Sequence, residues 1–198
     1  MAYEEAGTGP LVVLVPGIGD TRAQYRFLAS DLADASYRIV AMDLRGLGES
    51  STGFSDYSTA AVGADVVALL RELDGGAAHL VGNSMGAGAV AWAAAEAPEL
   101  VESLTLIGPF VRDIPPASRF QAAQMGALLN VLLQRPWGPL AWDYYYASLY
   151  PAAQPADFPA YRAALKANVA EKGRPEALRA MMNTTKADVE SRLADVTA

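Results

Sequence analysis

The chain has 198 residues, with 15 basic and 22 acidic side chains and a formal charge of −7. Hydrophobic residues make up 52% and charged residues 19%, which excludes a disordered chain and suits one domain with a sizeable core. There is no cysteine, so disulfides, thiolate catalysis and Cys-based zinc sites are excluded, and the single histidine, His79, excludes a His-rich metal site. An isoelectric point near 4.7 without a basic cluster argues against nucleic acid or an anionic membrane as partner. The start, Met1-Ala2-Tyr3-Glu4-Glu5, is acidic, unlike a secretory signal. The longest uncharged apolar stretch, from Met85 to Glu96, is shorter than the roughly 18 residues that span a bilayer. A cytoplasmic protein without a membrane segment is expected.

In chain order, Leu11–Val15 (LVVLV) is an apolar, β-branched run, the pattern of a strand buried on both faces. Gly17 and Gly19 follow, then a helical pattern from about Ala23 to Ala33 with Tyr25, Leu28 and Leu32 on one face. Tyr37–Met42 predicts the next strand, leading into a turn-rich loop, Asp43 to Gly48. Val62, Val66, Leu69, Leu70 and Leu73 fall at helical spacing, with Gly75-Gly76 as the expected stop. His79-Leu80-Val81 opens another strand, Met85–Ala97 a small-residue helix, and Ser103–Ile107 a further strand. Strands alternating with helices imply an α/β fold with a mostly parallel sheet. After Pro109 the character changes: eight of the twelve prolines lie between Pro109 and Pro159, and eight of the seventeen aromatics between Trp137 and Tyr161. Short helices at angles are expected there, then charge-rich helices from Tyr161. Two regions result: 1–110 as the sheet core and 111–198 as a helical cap.

Gly82-Asn83-Ser84-Met85-Gly86 lies between one of these strands and the small-residue helix. G-x-S-x-G in that setting demands a sharp turn whose flanking glycines relieve crowding and leave the serine hydroxyl exposed. The following helix aims its N-terminal N–H groups at the same point and favours negative charge there. The plain alternative is a tight turn that happens to contain serine.

At these residues the sequence resembles the α/β-hydrolases with an inserted helical cap. Val15-Pro16-Gly17-Ile18-Gly19-Asp20 looks like the family's oxyanion loop, Asp43 to Ser50 like the loop after the next strand, and Gly82 to Gly86 like its nucleophile elbow. Met1–Gly7 matches an earlier strand. The resemblance implies Ser84 as nucleophile, with the N–H groups of Ile18 and Met85 as oxyanion donors. Many family members carry His-Gly in the oxyanion loop where this chain has Pro16-Gly17, a change of loop geometry more than of chemistry. Asp20, Asp43 and Arg45 are expected to tie loops together. No cofactor and no metal are implied.

A serine needs a base, and the family supplies its acid and histidine after later strands, for which these residues hold no counterpart. His79, five residues before Ser84 on one strand, should lie about 16 Å away. Asp113 is a candidate acid in a variant arrangement. The expectation is therefore part of a longer or split hydrolase. Leu104–Ile107 should be an exposed sheet edge, open to self-association or to a complementary C-terminal segment. The aromatics Trp137, Trp142, Tyr144, Tyr145, Tyr146, Tyr150, Phe158 and Tyr161 suggest a small, partly apolar substrate, although for any single one a place in the cap core is the simpler role. Two other functions fit parts of the sequence. One is a catalytically silent binding protein of the same fold; the other is a dinucleotide-binding domain using Gly17-Ile18-Gly19 and Asp43, with Arg22 standing where a third glycine belongs.

Overall fold

The computed structural model describes residues 1–113 and 137–198, together with 118, 124, 127, 131 and 134. Most of the expected cap between 114 and 136 thus lies outside the described residues. Five strands, β1 (Tyr3–Ala6), β2 (Leu11–Val15), β3 (Arg38–Met42), β4 (Ala78–Asn83) and β5 (Val101–Ile107), form one sheet in the order β1-β3-β2-β4-β5. β1 pairs antiparallel with β3, Tyr3 opposite Met42, and the other pairs are parallel. Around the sheet lie α1 (Arg26–Asp34), α2 (Thr59–Leu73) and α3 (Met85–Glu96). The stretch expected as a cap supplies α4 (Gly138–Ser148), α5 (Phe158–Ala170), α6 (Arg174–Met182) and the short α7 (Ala187–Glu190).

Every residue of β2 is buried, because alternate side chains feed two different cores. Leu11, Val13 and Val15 join Val62, Val66, Leu70 and Leu80 beneath α2 and α3. Val12 and Leu14 join Tyr25, Ile39, Ala41 and Val81 on the other face. The alanine-rich α3 is buried almost all round, and Gly63 of α2 lets that helix approach the Ala89 carbonyl and the Trp92 ring. Small residues here permit close helix contact.

Two local expectations are corrected. Leu28 is exposed, and α1 packs through Ala29, Leu32 and Ala33, because a 3₁₀ turn over Arg22–Tyr25 precedes it and shifts the helical phase. α2 stops at Asp74, which takes the left-handed conformation itself (φ 44°), before Gly75-Gly76 is reached. Among the described residues β5 is the last strand in the sheet, as expected, with Leu106 39% and Ile107 44% exposed.

The cap meets the core partly through apolar side chains, with Ala177 and Met181 entering the larger cluster. Much of the remaining attachment is polar. Asn168 exchanges two hydrogen bonds with the backbone of Gly48 (3.0 and 2.9 Å), and Arg174 donates to the Ser50 carbonyl (2.5 Å). Arg26 forms a two-pronged pair with Asp157 (2.6 and 2.9 Å).

Candidate active site

β4 ends at Asn83 and α3 starts at Met85, leaving Ser84 to make the whole reversal with φ 53° and ψ −113°. A non-glycine residue held there costs about 1–3 kcal/mol, which the surroundings must impose. They do so through the backbone. Ser84 N donates to the Ile107 carbonyl (2.9 Å), and Ser84 O accepts from Phe110 N (3.1 Å) and Gly88 N (3.3 Å). The flanking glycines are sterically required. A Cβ at Gly82 would stand 2.6 Å from Ala87 N and Cα, and one at Gly86 would overlap the Val15 and Pro16 carbonyl oxygens.

The loop after β2 comes against this turn. A Cβ on Gly17 would lie 2.7 Å from Asn83 Oδ1 and 3.3 Å from Ser84 Cβ. Gly17 N donates to Gln24 Oε1 (3.0 Å), and Asp20 N folds back to the Gly17 carbonyl (3.2 Å). The cap holds the far end of this loop. Trp142 Nε1 donates to the Gly19 carbonyl (3.2 Å), Tyr146 donates to Asp20 Oδ2 (2.8 Å), and Tyr161 donates to Asp20 Oδ1. Burial raises the pKa of Asp20, an effect that these hydroxyls and Thr21 N oppose, and burial likewise pushes both tyrosines up.

Ser84 opens on two adjoining cavities. One, of about 180 Å³, is lined by Ile18, Ser84, Met85, Phe110, Trp142, Tyr145, Met181, Met182 and Lys186. The other, of about 230 Å³, shares Ile18, Ser84, Trp142 and Tyr145 and adds Gly17, Asp20, Gln24, Asn83, Tyr146, Leu149 and Tyr150. Ile18, Ser84 and Met85 thus share one cavity. As the first residue of α3, Met85 has an N–H without an acceptor inside its helix.

Four of the eight cap aromatics, Trp142, Tyr145, Tyr146 and Tyr150, line these cavities. Phe158 and Tyr161 are core residues of the cap, packed with Tyr146 and Leu165. Trp137 and Tyr144 are exposed. Sequence reasoning missed Phe110, Met181, Met182 and Lys186 as cavity residues, because nothing local distinguishes them from ordinary loop and helix positions.

Asp43 is fully buried and accepts from Arg22 N (2.8 Å), Glu49 N (2.9 Å) and the Arg22 guanidinium. Arg45 grips Asp65 at 2.8 Å through two nitrogens. His79 pairs with Ser103 (Nδ1 to Oγ 2.8 Å) near the start of β4, five residues before the turn. Asp113 accepts from Thr185 Oγ1 (2.6 Å) and Lys186 N (3.0 Å), on an exposed segment. At the Gly17–Gly19 turn the Trp142 ring occupies the place where a Cβ on Gly19 would stand. Among the described residues no group of three or more His, Cys, Asp or Glu side chains is placed to hold a metal. No helix among them is long and apolar enough to cross a membrane.

A mostly parallel sheet, a strained serine between strand and helix, and a glycine loop packed against it are features of the α/β hydrolase fold. The chain belongs to that family, which it matches over residues 10–163. An uncharacterized protein of Mycobacterium tuberculosis is 34% identical over 137 residues, 68% of this chain and 40% of that protein. A hydrolase from Pseudomonas aeruginosa superposes with a TM-score of 0.75 at 27% identity, covering 98% of this chain and 72% of its own. An esterase from Exiguobacterium antarcticum shares the fold, with a TM-score of 0.81 at 18% identity over 99% of this chain and 73% of its own. The chain therefore spans well under two thirds of its curated relative.

Proposed function

We propose that this chain carries the nucleophile and oxyanion half of a serine hydrolase acting on a small, partly apolar ester or related carbonyl compound. Ser84 attacks the carbonyl carbon, and the N–H groups of Ile18 and Met85 receive the oxygen as it becomes negative. The observation that carries this reading is the strained Ser84 backbone at the β4–α3 junction, with the residue opening on both cavities. Strain of this kind persists where the surrounding structure enforces it, and a turn without chemical purpose gains nothing from it. No cofactor enters the reaction.

Ser84 still needs a proton acceptor. His79 is bound to Ser103 on the far part of β4, so in this proposal the histidine and its acid come from a complementary segment whose first strand pairs with β5. The test compares p-nitrophenyl acetate hydrolysis by residues 1–198 and by the chain joined to such a segment from its parent protein, each with and without Ser84→Ala. In a serine protease, losing the histidine or the serine costs on the order of 10⁶ in turnover. The short chain should be feeble and nearly insensitive to the substitution, and the completed one active and dependent on Ser84. Full Ser84-dependent turnover from residues 1–198 would place the base within them. An inactive completed protein that still binds ligand would be a silent member of the fold.

A further inference from the structure

The two cavities at Ser84 differ in charge. The one beside Met181 and Met182 is walled by Ile18, Phe110, Trp142 and the two methionines, with Lys186 as the one charged lining residue among the described residues. The other contains Asp20, whose two carboxylate oxygens are occupied by Tyr146 and Tyr161. A negatively charged ligand group is disfavoured on the Asp20 side and favoured on the Lys186 side.

Lys186 is held in place by its neighbours. Its N–H and Thr185 Oγ1 both donate to Asp113 Oδ2, and its carbonyl accepts from Val189 N (3.0 Å) and Glu190 N (2.9 Å) as α7 begins. The ammonium donates to the Thr184 carbonyl (2.8 Å) and, among the described residues, has no carboxylate within ion-pairing distance. A lysine ammonium has three donors, so two remain for a ligand. Burial lowers the pKa of the side chain and nearby Asp113 opposes the shift, as expected for a cation partly removed from water without a paired anion.

We propose that Lys186 is a specificity determinant that receives the carboxylate of an anionic substrate, with the apolar walls holding the carbon chain between that carboxylate and the carbonyl at Ser84. The substrate class is then an ester or thioester bearing a free acid group. That class rests on the hydrolase reading, whereas anion recognition by Lys186 does not. The net charge of −7 gives the protein no general attraction for anions, so a preference for them must be local.

Isothermal titration of the chain with 3-phenylpropionate and with neutral 3-phenylpropanamide tests the site without turnover. A charge-assisted hydrogen bond in a partly dry cavity predicts about tenfold tighter binding of the carboxylate. Lys186→Met should erase that preference, and Lys186→Arg, which keeps the charge but cannot serve as a base, should retain it. Equal affinities, no detectable carboxylate binding at millimolar concentration, or a preference that survives Lys186→Met would each overturn the proposal. Loss of the preference in Lys186→Arg would do so too. Failure of the completed protein to hydrolyse esters would refute the hydrolase reading and leave this binding result standing.

Discussion

The sheet core and the cap are held by different forces. In the core, Leu14, Leu80, Val13 and Val15 are fully buried and feed contiguous apolar clusters above and below one sheet. Residues 137–198 have small clusters such as Trp142, Val169 and Leu178, send Ala177 and Met181 into the larger core, and otherwise dock through polar contacts: Trp142 on Gly19, two tyrosines on Asp20, Asn168 on Gly48 and Arg174 on Ser50. Apolar burial is non-directional and adds up with area, whereas a hydrogen bond is worth little net but fixes geometry. The core supplies stability, and the cap's bonds supply position.

The contrast is broken most severely from the core side. Leu80→Ala should destabilise the whole protein by about 2–5 kcal/mol, seen as a lower urea midpoint by every probe. A loss confined to the cap would mean that the clusters are less continuous than their contacts indicate. Tyr161→Phe should act locally, at about 1–3 kcal/mol, by leaving a buried carboxylate oxygen of Asp20 without that donor. Hydrogen exchange should accelerate in α4 and α5 while the amides of β2 and β4 stay protected.

Ser58→Ala should cost about 1 kcal/mol, because Ser58 Oγ caps α2 by accepting from Ala61 N (3.1 Å). That loss should appear in the global melt, since α2 is part of the core. Arg162→Ala, which removes a pair with partly exposed Asp143 (2.5 and 2.8 Å), should cost under about 1 kcal/mol.

Acid should sharpen the comparison further. The guanidinium groups of Arg162 and Arg26 hold Asp143 and Asp157 below the ordinary aspartate value, so both pairs stabilise the fold above that value. Their contribution is lost as pH falls through the lowered values. Asp20 has the opposite sign: its pKa is raised, so the stability linked to its protonation is present in acid and lost as pH rises. Below about pH 4, proteolysis should therefore cut first at the outer cap, around Asp143 and Asp157, with the Asp20 contacts lasting longer. Simultaneous cleavage throughout would show that the cap opens as one unit.

The same division decided what the sequence revealed. The strands were legible because burial on both faces leaves uninterrupted apolar runs, as in Leu11–Val15, and the Ser84 turn because only glycine fits at Gly82 and Gly86. The phase of α1 was misjudged because a 3₁₀ turn leaves no mark in apolar spacing. The attachment of Asp20 to Tyr146 and Tyr161 spans 126 and 141 residues, and no local pattern encodes a contact at that range. Lys186 was passed over for a similar reason, since the cavity that gives it meaning is assembled from five separate stretches of chain.

The bonds from Trp142, Tyr146 and Tyr161 make cap position and loop shape a single variable. Displacing these three side chains would free Gly19 and Asp20 together and leave the Ile18 amide held only through Gly17 and Gln24. A ligand that wedges the cap open therefore selects a population without an organised amide at that point, however tightly it binds.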